Sequence, residues 1–307
     1  SLPIHRWFRY TAGFSALWVR DLIKSENAKN ILDPFSGSGT VMIESEFAGL
    51  NSIGIEAHPY IFRIANAKLT WQIDPKEFKK SAKQILENAK LKKIIKVDFP
   101  NLIERCYTRD ALLKLEALKQ AWHESKNNKM LKELTWFVIT SILRVSSSVG
   151  TAQWQYVLPN KSKGKVTDPF YAFEAKVHEM AHDMANMQRN HPSATRSEMY
   201  LEDARDLISV PDNWADLIVT SPPYANNYDY ADATRLEMMF WGDINGWGDL
   251  QDKVRQYLVT ACTQHVAPLK NQTEEMLSSK LLSPIKSEIK KVFEDLAEIR
   301  LTKGGKK

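Results

Sequence analysis

Ser221-Pro222-Pro223-Tyr224 is the stretch of this sequence whose residue types are best suited to chemistry. A hydroxyl, two prolines and an aromatic ring in a row can grip a flat group that carries an amine. The Tyr224 ring stacks on the plane, and the Ser221 hydroxyl and the Pro222 carbonyl accept the amine hydrogens. The prolines also fix where this happens. Neither can donate to a β-ladder, so an arriving strand must end there. The residue before each proline is held extended, which makes the exit stiff. The arriving segment, Leu217-Ile218-Val219, is a short apolar run that reads as a buried parallel strand. In an open α/β sheet, ligands bind just beyond the carboxyl end of such a strand.

A second stretch, Ile31-Leu32-Asp33-Pro34-Phe35-Ser36-Gly37-Ser38-Gly39-Thr40, reads as a strand, a glycine-rich turn and the start of a helix over 41–48. Gly37 and Gly39 let the backbone approach a ligand closely and turn sharply. The next strand, Ser52 to Glu56, ends in an acid 23 residues after Asp33. That is close to the spacing at which an acid meets ribose hydroxyls in nucleotide-binding βαβ units. The glycines form neither Gly-x-Gly-x-x-Gly nor a P-loop, so nothing here cradles a phosphate. A ligand made of an amino acid and a nucleoside fits instead, and S-adenosylmethionine is such a ligand. Asp33 can meet its ammonium group and Glu56 its ribose, with Phe35 packed against the adenosyl group or near the methyl donor. Asp203, with Ala204 beside it in the strand-like run Met199 to Arg205, can accept from an adenine amine or cap the short helix that follows.

These residues need a sheet to hold them, and the chain supplies its parts in α/β order. Ser15 can cap a helix over Ala16 to Lys24, with Leu17, Leu22 and Ile23 inward, and Pro59 opens another across Tyr60 to Trp71. From Pro75 to about His191 the pattern is mostly helical, over 75–96, 110–125, 131–146 and 169–189, and reads as an insertion. Leu250 to Ile299 reads as further helices. The resulting division is 1–74, 75–197 and 198–307: a cofactor-binding part, a helical insertion suited to target recognition, and a catalytic part. Within the insertion, Ser146 to Tyr156 carries hydroxyls, amides, Trp154 and Tyr156, and Lys161, Lys163 and Lys165 follow. That mixture suits phosphates and unpaired bases. The eight lysines between Lys76 and Lys96 read as a solvated helix face.

Composition bounds the rest. A net charge of +5 permits a polyanionic partner without demanding one. No run is apolar enough to cross a bilayer, and the N-terminus lacks the apolar core of a signal peptide, so a soluble, cytoplasmic protein is expected. Cys106 and Cys262 are isolated, which supports neither a disulfide framework nor a metal site.

With both motifs placed, the chain resembles the amino-group DNA methyltransferases, S-adenosylmethionine-dependent enzymes that methylate exocyclic amines of cytosine or adenine. The resemblance rests on Phe35-Ser36-Gly37-Ser38-Gly39 and Ser221-Pro222-Pro223-Tyr224, and on their fuller forms Asp33 to Thr40 and Thr220 to Tyr224. It covers Ile4 to Lys68 and Tyr200 to about Trp241. It implies an α/β fold: a Rossmann-like class I methyltransferase sheet with a large helical insertion. It gives Ser221, Pro222, Pro223 and Tyr224 the catalytic role. Asp33, Phe35, Gly37, Gly39, Thr40, Glu56, Asp203 and Ala204 take the cofactor. His5 to Tyr10 with Gly13-Phe14 looks like the segment that packs over the methionine end of the cofactor, which adds Tyr10 and Phe14. A glycine loop that precedes the tetrapeptide is similar to the family's alpha ordering.

The serine form of the tetrapeptide is commonest in enzymes that make N4-methylcytosine. The expected reaction is therefore methyl transfer to N4 of cytosine in duplex DNA, by base flipping and direct transfer. N6-adenine methylation is the next reading. RNA methylation follows, because tRNA guanine-N2 enzymes share Asp-Pro-Phe-x-Gly-Ser-Gly-Thr but usually carry Asn or Asp at the position of Ser221. Intact Asp33, Glu56, Ser221 and Tyr224 weigh against a non-catalytic nucleic-acid-binding subunit. Carbon-5 methylation needs a Pro-Cys nucleophile, and neither cysteine has that context. The family's sheet continues past the tetrapeptide strand, yet no later run here reads as a strand. Val292 to Leu301 with Gly304-Gly305 resembles the helix and turn that lead into the next one. The C-terminal strands are thus expected to lie outside this chain, supplied by a second polypeptide or lost by truncation. The expected partners are duplex DNA and either such a polypeptide or a restriction or defence partner.

Overall fold

The structure, a computed structural model, describes residues 2–10, 12–152, 156–224, 228–262 and 273–302. Its first compact unit runs to Val259. It begins with α1 (Ala16–Ser25), β1 (Asn30–Asp33), α2 (Thr40–Ala48), β2 (Asn51–Ile55) and α3 (Pro59–Leu69). The insertion follows as α4 (Pro75–Leu91), α5 (Asn101–Cys106), α6 (Arg109–Glu124), α7 (Lys129–Ser146), an antiparallel hairpin of β3 (Val149–Thr151) and β4 (Val157–Ser162), and α8 (Pro169–Asn190). Then come β5 (Glu198–Tyr200), β6 (Leu217–Ile218), α9 (Arg235–Trp241) and α10 (Leu250–Lys253). The helix starts are written in the sequence. Ser15, Asp74, Thr108, Asn128 and Asp168 each accept a first-turn backbone N–H. A second unit, described by itself, holds α11 (Thr273–Ser278), a 3-10 turn at Lys280–Ile285 and α12 (Lys286–Thr302).

The strands form one parallel sheet in the order β5-β2-β1-β6. The chain steps outward from β1 to β2 to β5, then returns to the far side of β1 as β6. The reversal of direction lies between β1 and β6, and in open parallel sheets the ligand crevice opens at that point. One face of the sheet packs Ile31 and Val219 against Val19, Ile23, Val41 and Met42; the other packs Leu32, Ile53 and Ile55 against Tyr200, Val210 and Trp214. The largest core belongs to the inserted helices. α7 buries Trp136, Phe137, Val138 and Ile139 in succession, the mark of a helix surrounded on every side. That core is continuous with Ile61 and Ile64 of α3 and with Ile4 and Trp7 of the N-terminal turn.

Several expectations are corrected. Leu217 to Val219 is not a buried run: Ile218 is 60% exposed, and only Val219 is buried. β6 is paired on one side only among the described residues, so its outward side chain has no cover there. Leu17 is exposed and Val19 takes its place inside α1. α4 stops at Leu91, where Lys92 turns extended and the β-branched Ile94, Ile95 and Val97 follow. The strand expected over Met199 to Arg205 ends at Tyr200, and its acids lie in the turn beyond. Ser146 to Lys165 contains the β3–β4 hairpin, which hydropathy did not indicate. Among the described residues no strand follows Ile218.

Asp183 of α8 ties the N-terminal turn to the insertion. Its buried carboxylate accepts from Ile4 N at 3.3 Å, Arg6 Nε at 3.0 Å and Trp7 Nε1 at 3.0 Å, and also pairs with Arg6 Nη2. Ile4 is held at φ 65°, a conformation that strains a β-branched residue. Asp183→Ala should therefore cost about 3 kcal/mol, because it strands two buried donors, Ile4 N and Trp7 Nε1, and unpairs the half-buried Arg6 guanidinium. Urea denaturation followed by tryptophan fluorescence measures this directly.

Candidate active site

The glycine loop leaves β1 at Asp33, which is fully buried. Asp33 Oδ1 accepts from Phe35 N at 3.0 Å and from Thr220 Oγ1 at 2.7 Å. Asp33 Oδ2 has no hydrogen-bond partner among the described residues. Ser36 Oγ donates back to the Asp33 carbonyl, and Gly37 and Gly39 take φ of 52° and 83°. These are left-handed conformations open to glycine. The Tyr10 ring lies over Gly37 so closely that a Cβ there would come within 3.1 Å of it. Glu56, at the end of β2, accepts from Gly37 N and His58 N, both at 2.8 Å, and so braces the loop from below. Thr40 opens α2 and shares a pocket with Phe14, and both Phe14 and Phe35 are half-buried.

The tetrapeptide arrives beside this loop because β6 pairs with β1. Val219 N donates to Leu32 O at 3.0 Å, and the next residue, Thr220, reaches Asp33. Ser221 and Pro223 are half-exposed, Pro222 is exposed, and Tyr224 is 62% exposed. A large aromatic ring is left in solvent at the sheet's reversal point. The segment that follows is pinned from two sides. Asp229 forms a buried ion pair with Arg255 at 2.7 Å, and its backbone N donates to Tyr156 Oη of the hairpin at 2.7 Å. Tyr156 stacks on Tyr228 with centroids 5.9 Å apart, and Tyr230 Oη accepts from Tyr224 N at 3.4 Å. Tyr156 therefore stands against the exit of the tetrapeptide.

The other expected contacts are distributed differently. Lys161 and Lys165 are exposed. The Lys163 ammonium is committed to the carbonyls of Arg144 and Val145 at the end of α7, at 2.9 and 3.3 Å. Trp154 lies outside the described residues. Asp203 and Ala204 are in the half-buried turn after β5, and the Asp203 carboxylate is gripped by Arg205, which holds it below the usual carboxylate range.

Burial pushes Asp33 up to about 7, against the pull of the Thr220 and Phe35 hydrogen bonds. It pushes Glu56 to about 7 as well, opposed by the His58 and Gly37 N–H groups and reinforced by the Asp33 charge. Two acids are thus held ready for a cationic or hydroxyl-bearing ligand, and one has an unpartnered buried oxygen. This set fits S-adenosylmethionine: an unpartnered buried carboxylate oxygen for an ammonium, and a bare glycine backbone under a ring for close approach. Two contributors escaped the sequence reading. Thr220 links the two motifs through a hydroxyl that only strand pairing reveals. Lys68, buried under the loop, falls in the inward series Ile61, Ile64, Ala65, Lys68 of α3, and a lysine at such a position is itself a signal.

Comparison with known proteins agrees with this geometry. Residues 7–67 match the N6/N4 methyltransferase family model described as "DNA methylase". The Type II methyltransferase M.BsoBI of Geobacillus stearothermophilus is 26% identical over 268 residues, covering 78% of this chain and 53% of that protein. The Type II methyltransferase M.AvaI of Anabaena variabilis is 28% identical over 267 residues, covering 79% and 55%. The chain spans about half the length of these relatives. No helix among the described residues is long and apolar enough to cross a membrane. The matched glycine-loop region, the relatives and the parallel sheet with its helical insertion agree: the chain is similar to the amino-group DNA methyltransferases, whose methyl donor is S-adenosylmethionine.

Proposed function

We propose that this chain carries the catalytic machinery of a restriction–modification methyltransferase that acts on the N4 amine of cytosine in duplex DNA. The observation that carries the proposal is the Thr220–Asp33 hydrogen bond at 2.7 Å, which joins the loop suited to the methyl donor to the strand exit suited to an amine. S-adenosylmethionine, when bound, supplies an electrophilic methyl group. Asp33 would hold its ammonium group through Oδ2, Glu56 its ribose through lone pairs not used by Gly37 and His58, and Tyr10 would cover the amino-acid end. The chain's part in the reaction is positioning. An exocyclic amine is a poor nucleophile because its lone pair is delocalised into the ring. Ser221 Oγ and the Pro222 carbonyl accept its two hydrogens and favour a tetrahedral nitrogen with the lone pair aimed outward. No covalent intermediate is needed, and the amine gives up one proton to solvent during or after transfer. A duplex buries this amine, so the base must be flipped out, and the exposed Tyr224 ring is where it would stack.

Serine at 221 supports cytosine over adenine. The position of Tyr156 and the exposed Lys161 and Lys165 supports a nucleic-acid path past the hairpin. The deciding experiment offers tritiated S-adenosylmethionine with duplex DNA and, separately, tRNA, followed by nucleoside analysis. N4-methylcytosine in DNA is expected. N6-methyladenine in DNA, or N2-methylguanine in tRNA, would replace this reading with the corresponding alternative.

A further inference from the structure

Lys68 is a fully buried amine with no acidic partner among the described residues. It is 1% exposed, and its ammonium makes one hydrogen bond, to the Ser38 carbonyl at 3.1 Å. A buried ammonium normally has a carboxylate beside it. Glu44 of α2, the acid bonded to the cavity-lining His5, is already taken. It accepts from His5 Nε2 at 2.8 Å and from Arg20 Nε and Nη2 at 2.8 and 3.1 Å. Lys68 instead lines a cavity of about 230 Å³ with His5, Tyr10, Phe14, Ser38 and Thr40. The cavity is smaller than the ~300 Å³ at the low end for drug-sized ligands, so it suits one end of a ligand. Thr40 begins α2, whose first N–H groups have no intrahelical acceptors and favour an anion. A buried amine, the Ser38 and Thr40 hydroxyls and a helix start converge on a small, partly open pocket beside the glycine loop.

We propose that Lys68 is the carboxylate-binding residue of this cavity, and that the group it holds is the carboxylate of the methyl donor's amino-acid end. The inference rests on the cofactor reading above. It divides that end between two groups: Asp33 for the ammonium and Lys68 for the carboxylate. Each is a buried titratable group left without an oppositely charged partner among the described residues.

The proposal has a proton signature. Burial alone draws Lys68 down to about 7, so at pH 8 its amine is mostly neutral. A carboxylate docked against it restores the charged form, and the site takes up a proton. The other groups facing Lys68 are quiet at that pH. His5 of the N-terminal turn is held neutral by burial, Tyr10 is pushed well above its ordinary value, and Glu44 and Arg20 are paired. Asp33 and Glu56 are already ionised above their values of about 7.

Isothermal titration of the full chain with S-adenosylhomocysteine at pH 8, in phosphate and in Tris, reads the proton directly. Uptake approaching one proton per ligand is expected. With 5′-methylthioadenosine, which lacks the amino-acid end, no uptake is expected. Lys68→Met should lose affinity for S-adenosylhomocysteine on the order of 10- to 100-fold, abolish the uptake and leave methylthioadenosine binding unchanged. Should the variant fail to fold, the wild-type uptake still decides. Binding of S-adenosylhomocysteine without uptake, or undiminished in Lys68→Met, would overturn this inference alone. Failure of both ligands to bind would overturn the cofactor reading as well.

Discussion

Asp33→Asn should abolish S-adenosylmethionine binding while leaving the protein as stable as the wild type, or more so, at pH 8. Asparagine can keep Oδ1 as acceptor for Thr220 Oγ1 and Phe35 N, so the loop and the β1–β6 junction stay joined. It removes the charge, and with it the attraction of Oδ2 for an ammonium. Pairing of a buried carboxylate with a cation is worth several kcal/mol, so affinity should drop at least 100-fold. Asp33→Ala should lose binding too, and destabilise the junction by stranding the Thr220 hydroxyl. Isothermal titration gives the first quantity and thermal unfolding the second. Wild-type affinity in Asp33→Asn would remove Asp33 from the cofactor site.

The stability half of that expectation follows from the direction of the pKa shift. Asp33 sits at about 7 in the fold against 3.8 for an unperturbed carboxyl. Between those values the folded state binds the extra proton, so stability falls as pH rises from about 4 to about 7 and stays reduced above. The difference corresponds to roughly 4 kcal/mol. A neutral side chain of the same shape escapes that cost. Glu56, also near 7, acts in the same direction.

How much of this was legible in the sequence depends on whether a residue's role is local. Gly37 and Gly39 announce a turn because no other residue takes their φ cheaply. Pro59, Asp74, Thr108, Asn128 and Asp168 announce helix starts because capping is settled within three residues. The starts of α2, α3 and the four long inserted helices were therefore readable to within two residues, while the end of α4 was missed by five. The β3–β4 hairpin was not. Its strands are short and mostly exposed, so they carry no alternation, and their pairing depends on the contact of Tyr156 with Tyr228 and Asp229 more than 70 residues on. Lys163 looked like its neighbours Lys161 and Lys165, and only the end of α7 distinguishes it. Ile218 looked buried because hydropathy cannot tell an edge strand from a central one. In the site, the acids were visible at strand ends, while the Thr220–Asp33 bridge and the unpaired Lys68 needed the sheet order.

Ser221→Ala and Tyr224→Ala should each cut turnover sharply while S-adenosylhomocysteine binds as in the wild type. The two losses should differ in kind. Ser221 is assigned an interaction that strengthens as the amine becomes tetrahedral. Its loss should lower kcat on the order of 10²- to 10³-fold, with little change in DNA affinity. Tyr224 is assigned the stacking of the extruded base, worth ~1–3 kcal/mol. Its loss should weaken formation of the flipped complex, and a mismatch opposite the target, which makes extrusion easier, should restore part of the rate. Tyr224→Phe should retain most activity because the ring is kept. Tyr224 lies 62% exposed beyond the strand end, and Ser221 is half-exposed, so neither substitution should disturb the core. Single-turnover methyl transfer to matched and mismatched duplexes, with ligand affinity by calorimetry, separates the two roles. Loss of S-adenosylhomocysteine binding in either alanine variant would instead place that residue in the cofactor pocket. No mismatch rescue of Tyr224→Ala would take the flipped base off its ring.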